Sequence, residues 1–382
     1  MNEILAGDCR ETLKTLADQS INTCITSPPY WGLRDYGEDE QLGLEDTPEE
    51  YVANLVQVFR EVKRVLRDDG TVWLNLGDTY SATRWSNTPS TTGISQSHSD
   101  IVLQKKTKLP DKNLVGIPWR VAFALQQDGW YLRQDIIWHK PNPMPESVKD
   151  RCTKAHEYIF LLSKNAKYYY DHEAIREDCE GIDERQWAEE YEAVGSVLQG
   201  ESNAEIKRTK RYNKDGSFKR NKRSVWTVTT KPYKEAHFAT FPMDLIEPCV
   251  LAGCPEKVCV ECNGPYVRQV ESKRIMRNEL PKDDPRYRPN TYEGSYKDIN
   301  GKADAGYTET KDLGLQKQCQ CEANETKPGT VLDPFGGSGT TAQVANSHNR
   351  DAILIELNEE YIEIAKERIA PDGDLFTEIE VF

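Results

Sequence analysis

The chain has 382 residues, of which 37% are hydrophobic and 29% charged, and its formal net charge is −14. This length allows one large domain with an accessory module, and no apolar stretch approaches the roughly 20 residues of a membrane-spanning helix. The first residues lack the basic-then-apolar order of a secretion signal, so we expect a cytoplasmic protein without a membrane partner. The acidic balance argues mildly against a nucleic-acid partner.

One segment reverses this charge. Residues 207–223 carry nine Lys or Arg residues and a single acid, Asp215. A local basic run can hold phosphates while the rest of the surface stays acidic. A solvated loop is the alternative interpretation of such a run. Together with residues 224–226, the run is the first candidate for contacting a nucleic acid.

The predicted elements begin with alternating strand and helix signals. A short β-prone run, 21–26, ends abruptly because two consecutive prolines follow it. Thr47 opens a helix with a capping signal, and apolar residues recur at helical spacing until Asp69 and Gly70 stop the helix. The next strand covers 71–76.

The rest of the chain continues this alternation after a Ser- and Thr-rich stretch, 80–112, which predicts a loop. Strands that alternate with helices predict an α/β fold with a doubly wound, mostly parallel sheet. Helices are predicted at 117–125 and 242–251, and strands at 135–138, 158–162, 329–333 and 352–356.

A glycine-rich loop follows the predicted strand at 329–333. It reads Asp-Pro-Phe-Gly-Gly-Ser-Gly-Thr-Thr from Asp333 to Thr341, and such a loop lets a ligand approach the backbone closely. Glu356 ends the next strand near the spacing at which an acid meets ribose hydroxyls in dinucleotide-binding folds. The patterns of a phosphate-binding loop and of a nicotinamide-binding loop are both absent. A connecting turn without a ligand is the remaining alternative.

The loop after strand 21–26 suits an amino group as substrate. Ser27, Pro28, Pro29 and Tyr30 follow a strand, where ligands bind in an open α/β sheet. An amino group that is alkylated needs acceptors for its hydrogens, which the Ser27 hydroxyl and the Pro28 carbonyl can supply. The Tyr30 ring can stack on a planar base, and no covalent nucleophile is required. Taken alone, the four residues would more often form a surface turn.

Together, the two loops resemble the motifs of the DNA amino-methyltransferases, which are specific for cytosine N4 or adenine N6. That family combines a Ser/Asn/Asp-Pro-Pro-Tyr/Phe motif with an Asp-Pro-Phe-x-Gly-Ser-Gly-Thr-Thr motif. The chain is similar to the permuted, β-type group, in which the catalytic motif precedes the cofactor loop. Further matches lie at 7–9, 26–37, 137–143 and 237–242, and the resemblance covers 1–80, 113–171, 224–254 and 328–370.

The resemblance implies a Rossmann-like methyltransferase that uses S-adenosylmethionine and extrudes its target base from double-stranded DNA. It assigns a catalytic role to the motif at 27–30 and implies that Glu356 binds the ribose hydroxyls of the cofactor. It places Asp8, Phe238 and Thr240 beside the adenine or methionine part. The loop residues that it assigns to the methionine part are Asp333, Phe335, Gly336 and Thr340, with Gly339 in the same loop.

Ser27 favours cytosine N4, because family members with serine at this position are mostly N4-cytosine enzymes and those with aspartate usually modify adenine N6. Adenine-N6 methylation is therefore the first alternative. C5 methylation would need a cysteine nucleophile, and the apolar helix around Pro248 and Cys249 indicates a buried core cysteine instead. Methylation of RNA or of a protein amide, and a zinc-bearing DNA-binding module without catalysis, are alternatives from other classes.

Four of the ten cysteines form two close pairs, which are Cys259 with Cys262 and Cys319 with Cys321. Cytosolic thiols stay reduced, so a disulfide framework is not expected. The Asn-Gly sequence after Cys262 resembles a zinc knuckle, and four thiolates form a closed tetrahedral set, which predicts structural zinc. The alternative is four unmetallated thiols on a surface insert.

These features divide the chain by function. A prokaryotic or viral origin is expected, and a homodimer and a cognate restriction endonuclease are left open. The polar middle of the cysteine insert, 273–312, is expected to be partly disordered. The segments are a catalytic half at 1–171, a candidate target-recognition region at 172–235, a cofactor half at 236–254 and 328–382, and the zinc insert at 255–327.

Overall fold

The computed structural model describes residues 2–32, 41–81, 107–178, 219–230, 241–276, 281–283, 306–370 and 379–381. The chain divides into two compact units, of which the first takes in 1–174, 223–266 and 317–382 and the second 175–222 and 267–316. The two ends of the cysteine insert, 255–266 and 317–327, therefore belong to the first unit. No helix in the described ranges is both long enough and apolar enough to cross a membrane.

Within these ranges the first helix is short, and the longest is amphipathic and packs against the third. The α-helices are α1 (Cys9–Thr12), α2 (Pro48–Val65), α3 (Ile117–Gln127), α4 (Met243–Gly253), α5 (Thr340–Ser347) and α6 (Glu359–Ile369). The strands are β1 (Asn2–Ala6), β2 (Ile21–Thr26), β3 (Leu66–Leu76), β4 (Tyr131–His139), β5 (His156–Ser163), β6 (Glu177–Asp178), β7 (Lys219–Arg220), β8 (Val225–Thr227), β9 (Val258–Cys259), β10 (Tyr266–Met276), β11 (Gly306–Lys317), β12 (Thr326–Lys327), β13 (Thr330–Asp333), β14 (Asp351–Glu356) and β15 (Ile379–Val381).

Helix α2 begins as predicted but ends earlier. The Thr47 hydroxyl accepts from the Glu50 N–H and the Glu50 carboxylate accepts from the Thr47 N–H, both at 3.2 Å, which is a capping box. The helix ends at Val65, so the expected stop at Asp69 and Gly70 is wrong. Gly70 lies within β3. A Cβ there would lie 3.1 Å from the Asn22 carbonyl oxygen of β2, so a larger residue would crowd the neighbouring strand.

Nine strands form one sheet in the order β15-β1-β14-β13-β2-β3-β5-β4-β8. The pairs of β5 with β3 and with β4 are antiparallel, and the other pairs in this sheet are parallel. Eight strands therefore run in one direction, and this mostly parallel sheet confirms the predicted α/β class. The strands β10 and β11 pair separately, as do β9 with β12 and β6 with β7.

Helices cover both faces of the sheet. Cys24, Val72 and Leu74 belong to an apolar core that they share with α2 and α3. Trp73 points to the opposite face, because successive strand residues alternate in direction. There Gly253 of α4 comes so close that a Cβ would lie 2.5 Å from the Trp73 indole nitrogen. The sheet is therefore the middle of three layers.

The structure bears on two predictions for the outer segments. Trp226 is 6% exposed on β8, its ring centroid lies 6.4 Å from that of Trp73, and β8 pairs with β4. The Trp226 side chain thus packs on the sheet, whereas contact of the basic run and residues 224–226 with a nucleic acid stays a prediction. Strand β10 extends to Met276 and β11 begins at Gly306, so both ends of 273–312 are strands, and the partial disorder of this segment stays a prediction. The predictions for 82–106, 207–218, Phe238 and Thr240 lie outside the described residues.

Candidate active site

Four adjacent strands end at one edge of the sheet in polar loops. β1, β14, β13 and β2 are neighbours and parallel, so their carboxyl ends meet there. Asp8 follows β1, Glu356 ends β14, Asp333 ends β13 and the loop 27–30 follows β2. The chain leaves β13 towards β14 and leaves β2 towards β3, which makes the gap between β13 and β2 the switch point where such sheets bind ligands.

Asp333 is the buried acid at this switch point, with 1% of its surface exposed. Its Oδ1 accepts from the Thr26 hydroxyl at 2.6 Å and from the Phe335 N–H at 3.1 Å, and its Oδ2 accepts from the Thr341 hydroxyl at 2.6 Å. Burial raises the pKa of Asp333 to about 7, although these hydrogen bonds act in the opposite direction. A carboxyl group that titrates near neutrality therefore joins the two predicted loops.

The glycine-rich loop lies tightly against β14 and α6. The Gly336 N–H donates to the Ile355 carbonyl at 2.8 Å, and a Cβ on Gly336 would lie 2.9 Å from the Leu354 Cβ. Gly339 has a φ of +78°, and a Cβ there would lie 3.1 Å from the Cα of Ala365. Only glycine fits both conditions at Gly339, so the loop conformation itself requires this residue.

Glu356 accepts three backbone hydrogen bonds. Its Oε2 accepts from the Gly337 N–H at 2.7 Å, and its Oε1 accepts from the N–H groups of Leu357 and Asn358 at 3.0 and 2.9 Å. These three bonds fix the orientation of the carboxylate. Glu356 is thereby fixed between the end of β14 and the glycine-rich loop.

Two further predicted cofactor residues contact arginines. The Asp8 side chain caps α1 by accepting from the Arg10 N–H at 2.8 Å and also pairs with the Arg10 guanidinium. Burial raises the pKa of Asp8, but the hydrogen bonds and charge of Arg10 outweigh this effect and lower it overall. Thr340 is 3% exposed, and its hydroxyl accepts from Arg368 at 2.7 Å. Phe335 packs, partly buried, against the apolar core.

The predicted catalytic loop is held by two side chains from neighbouring strands. The Tyr30 hydroxyl lies 3.1 Å from Asn75 Oδ1 and 2.9 Å from Glu157 Oε2, and the Ser27 hydroxyl lies 3.3 Å from the same Asn75 oxygen. The Tyr30 ring packs on Gly77, where a Cβ would lie 2.4 Å from Tyr30 Cε2. Burial, followed by the charge of Glu157, raises the pKa of Tyr30.

Sequence reasoning missed both of these partners. Asn75 is 4% exposed on β3, and its Nδ2 donates to the Tyr158 carbonyl at 3.1 Å. Glu157 on β5 forms an ion pair with Lys140, whose ammonium nitrogen lies 4.1 Å from the centroid of the Trp138 ring. One signal was available, since Asn75 is the polar residue in the otherwise apolar end of β3.

The four predicted metal ligands come together in a second site. The sulfur atoms of Cys259, Cys262, Cys319 and Cys321 all lie within 4.8 Å of one another. In the turn after Cys259, Asn263 has a φ of +57° and its N–H donates to the Cys259 carbonyl at 2.9 Å. Backbone N–H groups of Cys262 and Glu261 lower the pKa of Cys259 to about 7. The hydrogen bond with Cys262 has the opposite effect on Cys321 and raises its pKa.

This cysteine cluster lies at the opposite end of the strands from the loop 27–30. The Asn263 side chain donates to the Ser20 carbonyl at 2.9 Å, just before β2 begins. Arg67, near the start of β3, donates to the Cys262 carbonyl at 2.7 Å. The cluster is therefore attached to the amino ends of these strands, which excludes it from the reacting centre.

Cys249 does not offer a nucleophile. It is fully buried in α4, and its thiol lies 3.9 Å from the Leu245 carbonyl oxygen, one helical turn earlier. This confirms the interpretation as a core cysteine and removes the structural basis for C5 methylation.

A mostly parallel sheet with an acidic, glycine-rich loop beside a Ser-Pro-Pro-Tyr loop defines a methyltransferase of the α/β class. The chain belongs to the DNA methylase family of N6 and N4 methyltransferases, whose pattern matches residues 21–260 and 295–367. This confirms the family resemblance inferred from the two loops and makes DNA methyl transfer the class of reaction.

Two relatives extend the match over nearly the whole chain. Type II methyltransferase M.Cfr9I of Citrobacter freundii is 38% identical over 368 residues, which cover 96% of this chain and 87% of the relative. Type II methyltransferase M.SmaI of Serratia marcescens is 37% identical over 370 residues, which cover 96% and 90%. The solved structure of the PvuII DNA methyltransferase, described as cytosine-N4-specific, matches with a TM-score of 0.52 at 16% identity, covering 98% of this chain and 88% of that one. The last match concerns the fold alone.

Proposed function

We propose that the protein transfers a methyl group from S-adenosylmethionine to the exocyclic N4 of cytosine in double-stranded DNA. The observation that carries the proposal is the 2.6 Å hydrogen bond from Thr26 to Asp333, which holds the catalytic loop beside the cofactor loop. Membership of the DNA methylase family supports DNA as the substrate. Ser27 supports cytosine, and adenine N6 is the second candidate because the family includes both specificities.

The residues at the edge of the sheet fit the cofactor. S-adenosylmethionine supplies an electrophilic methyl group on a positively charged sulfur. A positive charge nearby would keep the buried Asp333 ionised, and the Glu356 carboxylate is an acceptor of the kind that ribose hydroxyls need. The position of the catalytic loop ahead of the cofactor loop in the chain supports the permuted, β-type arrangement.

The catalytic loop then acts on an extruded base. The Ser27 hydroxyl oxygen and the Pro28 carbonyl accept the hydrogens of the amino group, which aims the nitrogen lone pair at the methyl carbon. Tyr30 stacks on the base, which has left the duplex because its reacting atom is out of reach inside the stack. When the cofactor is bound, its methyl group would pass from sulfur to this nitrogen, S-adenosylhomocysteine would leave, and the amino group would lose one proton to solvent.

The cysteine cluster is proposed as a structural zinc site. Four thiolates around zinc at about 2.3 Å have sulfur–sulfur separations of roughly 3.8 Å, and the four sulfurs already lie within 4.8 Å of one another. A complete set of four ligands leaves no position for water or substrate. The distance of the cluster from the catalytic loop agrees with a structural role.

Target recognition and partners remain proposals. Residues 172–235, with the basic run 207–223, are the candidate region for reading the DNA sequence. The Type II relatives support a place in a restriction–modification system and hence a cognate endonuclease. A homodimer stays a prediction from the sequence.

The deciding experiment is mass spectrometry of nucleosides from plasmid DNA, prepared from a host without methyltransferases, after incubation with the protein and S-adenosylmethionine. N4-methylcytosine is expected, and sequencing of the product then gives the target site. N6-methyladenine would refute the base assignment, and an absence of any methylated nucleoside would refute the proposed reaction. Asp333→Ala should also abolish saturable cofactor binding in calorimetry.

A further inference from the structure

We propose that Asn75 is a positioning residue that takes up the hydrogen of the Ser27 hydroxyl and so makes the Ser27 oxygen an acceptor for the target amino group. Glu157 supports this role by taking the hydrogen of the Tyr30 hydroxyl. The inference rests on the proposed reaction at an exocyclic amino group, and it assigns the two residues that sequence reasoning missed.

A serine at the first motif position creates a problem that an asparagine or aspartate does not. A hydroxyl group carries one hydrogen and two lone pairs, so it can either donate or accept towards the substrate. If Ser27 donated to the amino nitrogen, it would occupy the lone pair that must attack the methyl carbon. The hydroxyl hydrogen therefore needs another acceptor, placed on the side away from the substrate.

The orientation of Asn75 supplies that acceptor. The Tyr158 carbonyl can only accept, so the Asn75 atom 3.1 Å from it is the amide nitrogen. The amide oxygen then faces the loop, 3.3 Å from the Ser27 hydroxyl. Because Asn75 is 4% exposed and is fixed by this bond on β3, its orientation is built into the sheet.

Tyr30 would compete for the same oxygen if Glu157 were absent. Its hydroxyl lies 3.1 Å from Asn75 Oδ1 but 2.9 Å from Glu157 Oε2. A carboxylate is a stronger acceptor than an amide oxygen, and the ion pair with Lys140 holds Glu157 in place. The hydrogen of the Tyr30 hydroxyl thus goes to Glu157, and the Asn75 oxygen accepts the hydrogen of the Ser27 hydroxyl.

The test is a double-mutant cycle on steady-state methyl transfer, with the plasmid DNA described above and labelled S-adenosylmethionine. Asn75→Leu should lower kcat about 10- to 100-fold, the size expected when one polar group loses its hydrogen-bond partner, with an unchanged Kd for the cofactor. In a Ser27→Ala background, where no hydroxyl remains, Asn75→Leu should cause less than a twofold further loss. Asn75→Ala provides the same comparison if the leucine variant folds poorly.

A second cycle isolates Glu157. Glu157→Leu should lower kcat in the wild type, because the Tyr30 hydrogen then competes for Asn75, and should have little effect in a Tyr30→Phe background. Asn22→Leu is the matched control, since Asn22 is also a buried asparagine of the sheet, 3% exposed, but lies at the opposite edge beside Thr330. It should lower the melting temperature and leave kcat unchanged.

The outcomes separate this inference from the proposed function. Wild-type protein that methylates no amino group of DNA refutes the proposed function itself. If the wild-type protein is active and the kcat losses of the Asn75 and Ser27 variants multiply in the double variant, the positioning role is refuted. An equal loss of kcat in Asn22→Leu and Asn75→Leu also refutes it. Non-additive losses in both cycles, with an inert control, establish it.

Discussion

The Thr26 hydroxyl donates a 2.6 Å hydrogen bond to Asp333 across 307 positions of the sequence. Thr26 is the last residue of β2 and Asp333 the last of β13, and the two strands are neighbours in the sheet. The bond therefore fixes the start of the loop 27–30 relative to the start of the glycine-rich loop. Both side chains are buried, so water does not compete for it.

Replacing Thr26 with valine should make cofactor binding more dependent on pH. The Thr26 hydrogen bond lowers the pKa of Asp333, so its loss raises that pKa above about 7. If ionised Asp333 attracts the positively charged cofactor, affinity at pH 7 falls severalfold and recovers above pH 8. Calorimetric titration with S-adenosylmethionine from pH 6 to 9 checks this, and identical profiles for both proteins would contradict it.

Asp333→Asn should flatten the pH dependence of stability. The folded state binds a proton on Asp333 more tightly than the unfolded state, since the folded pKa is about 7 and the ordinary value is 3.8. This residue therefore lowers stability as pH rises from about 4 through 7. Between pH 5 and 8, Asp333 should lower the free energy of unfolding of the wild type by on the order of 3 kcal/mol. The variant should lack this decrease. Urea unfolding of both proteins at those pH values is the measurement, and parallel curves would sink the idea.

Gly77→Ala should displace Tyr30. A Cβ at Gly77 would lie 2.4 Å from the Tyr30 ring, which is far inside van der Waals contact, so the ring must move. We expect kcat to fall at least tenfold while the Kd for S-adenosylmethionine stays within twofold, because Gly77 follows β3 and not the cofactor strands. In a Tyr30→Ala background the added methyl group should have no further effect on kcat. A further tenfold loss there would mean that Gly77 acts through another residue.

Cys262→Ser should remove the metal that we propose. The wild-type protein is expected to contain one zinc ion per chain by mass spectrometry of metals, and the variant well under half of that. Loss of one ligand should also lower the melting temperature by several degrees, because structural zinc contributes directly to folding. Cys152→Ser is the control, since Cys152 is an exposed free cysteine outside the cluster. Equal zinc content in the three proteins would refute the site.

The sequence predicted the elements that have strong local signals. The capping residue Thr47, the prolines after β2 and the glycines after β13 each impose a local geometry, so these boundaries could be placed without the structure. The loop 27–30 and the glycine-rich loop were assigned to one site through a family resemblance, because no local signal places Thr26 beside Asp333. That contact depends on the order of strands in the sheet.

The residues that were missed or misplaced have non-local causes. Asn75 is one polar residue in an apolar strand, and its importance depends on Tyr158 and Ser27, which lie on other elements. Trp226 follows a basic run and was grouped with it, but the pairing of β8 with β4 buries it. Burial of this kind follows from tertiary pairing that composition does not reveal.

Strand β1 lies between β14 and β15, which the chain supplies some 350 residues later. Strand β1 can therefore pair with these neighbours only after the later segments have been synthesised. Until then, both of its edges can pair with other chains, and slow closure of such distant contacts prolongs the exposure. The yield of folded enzyme should therefore rise at lower growth temperature and with added chaperones, even if the folded protein is stable.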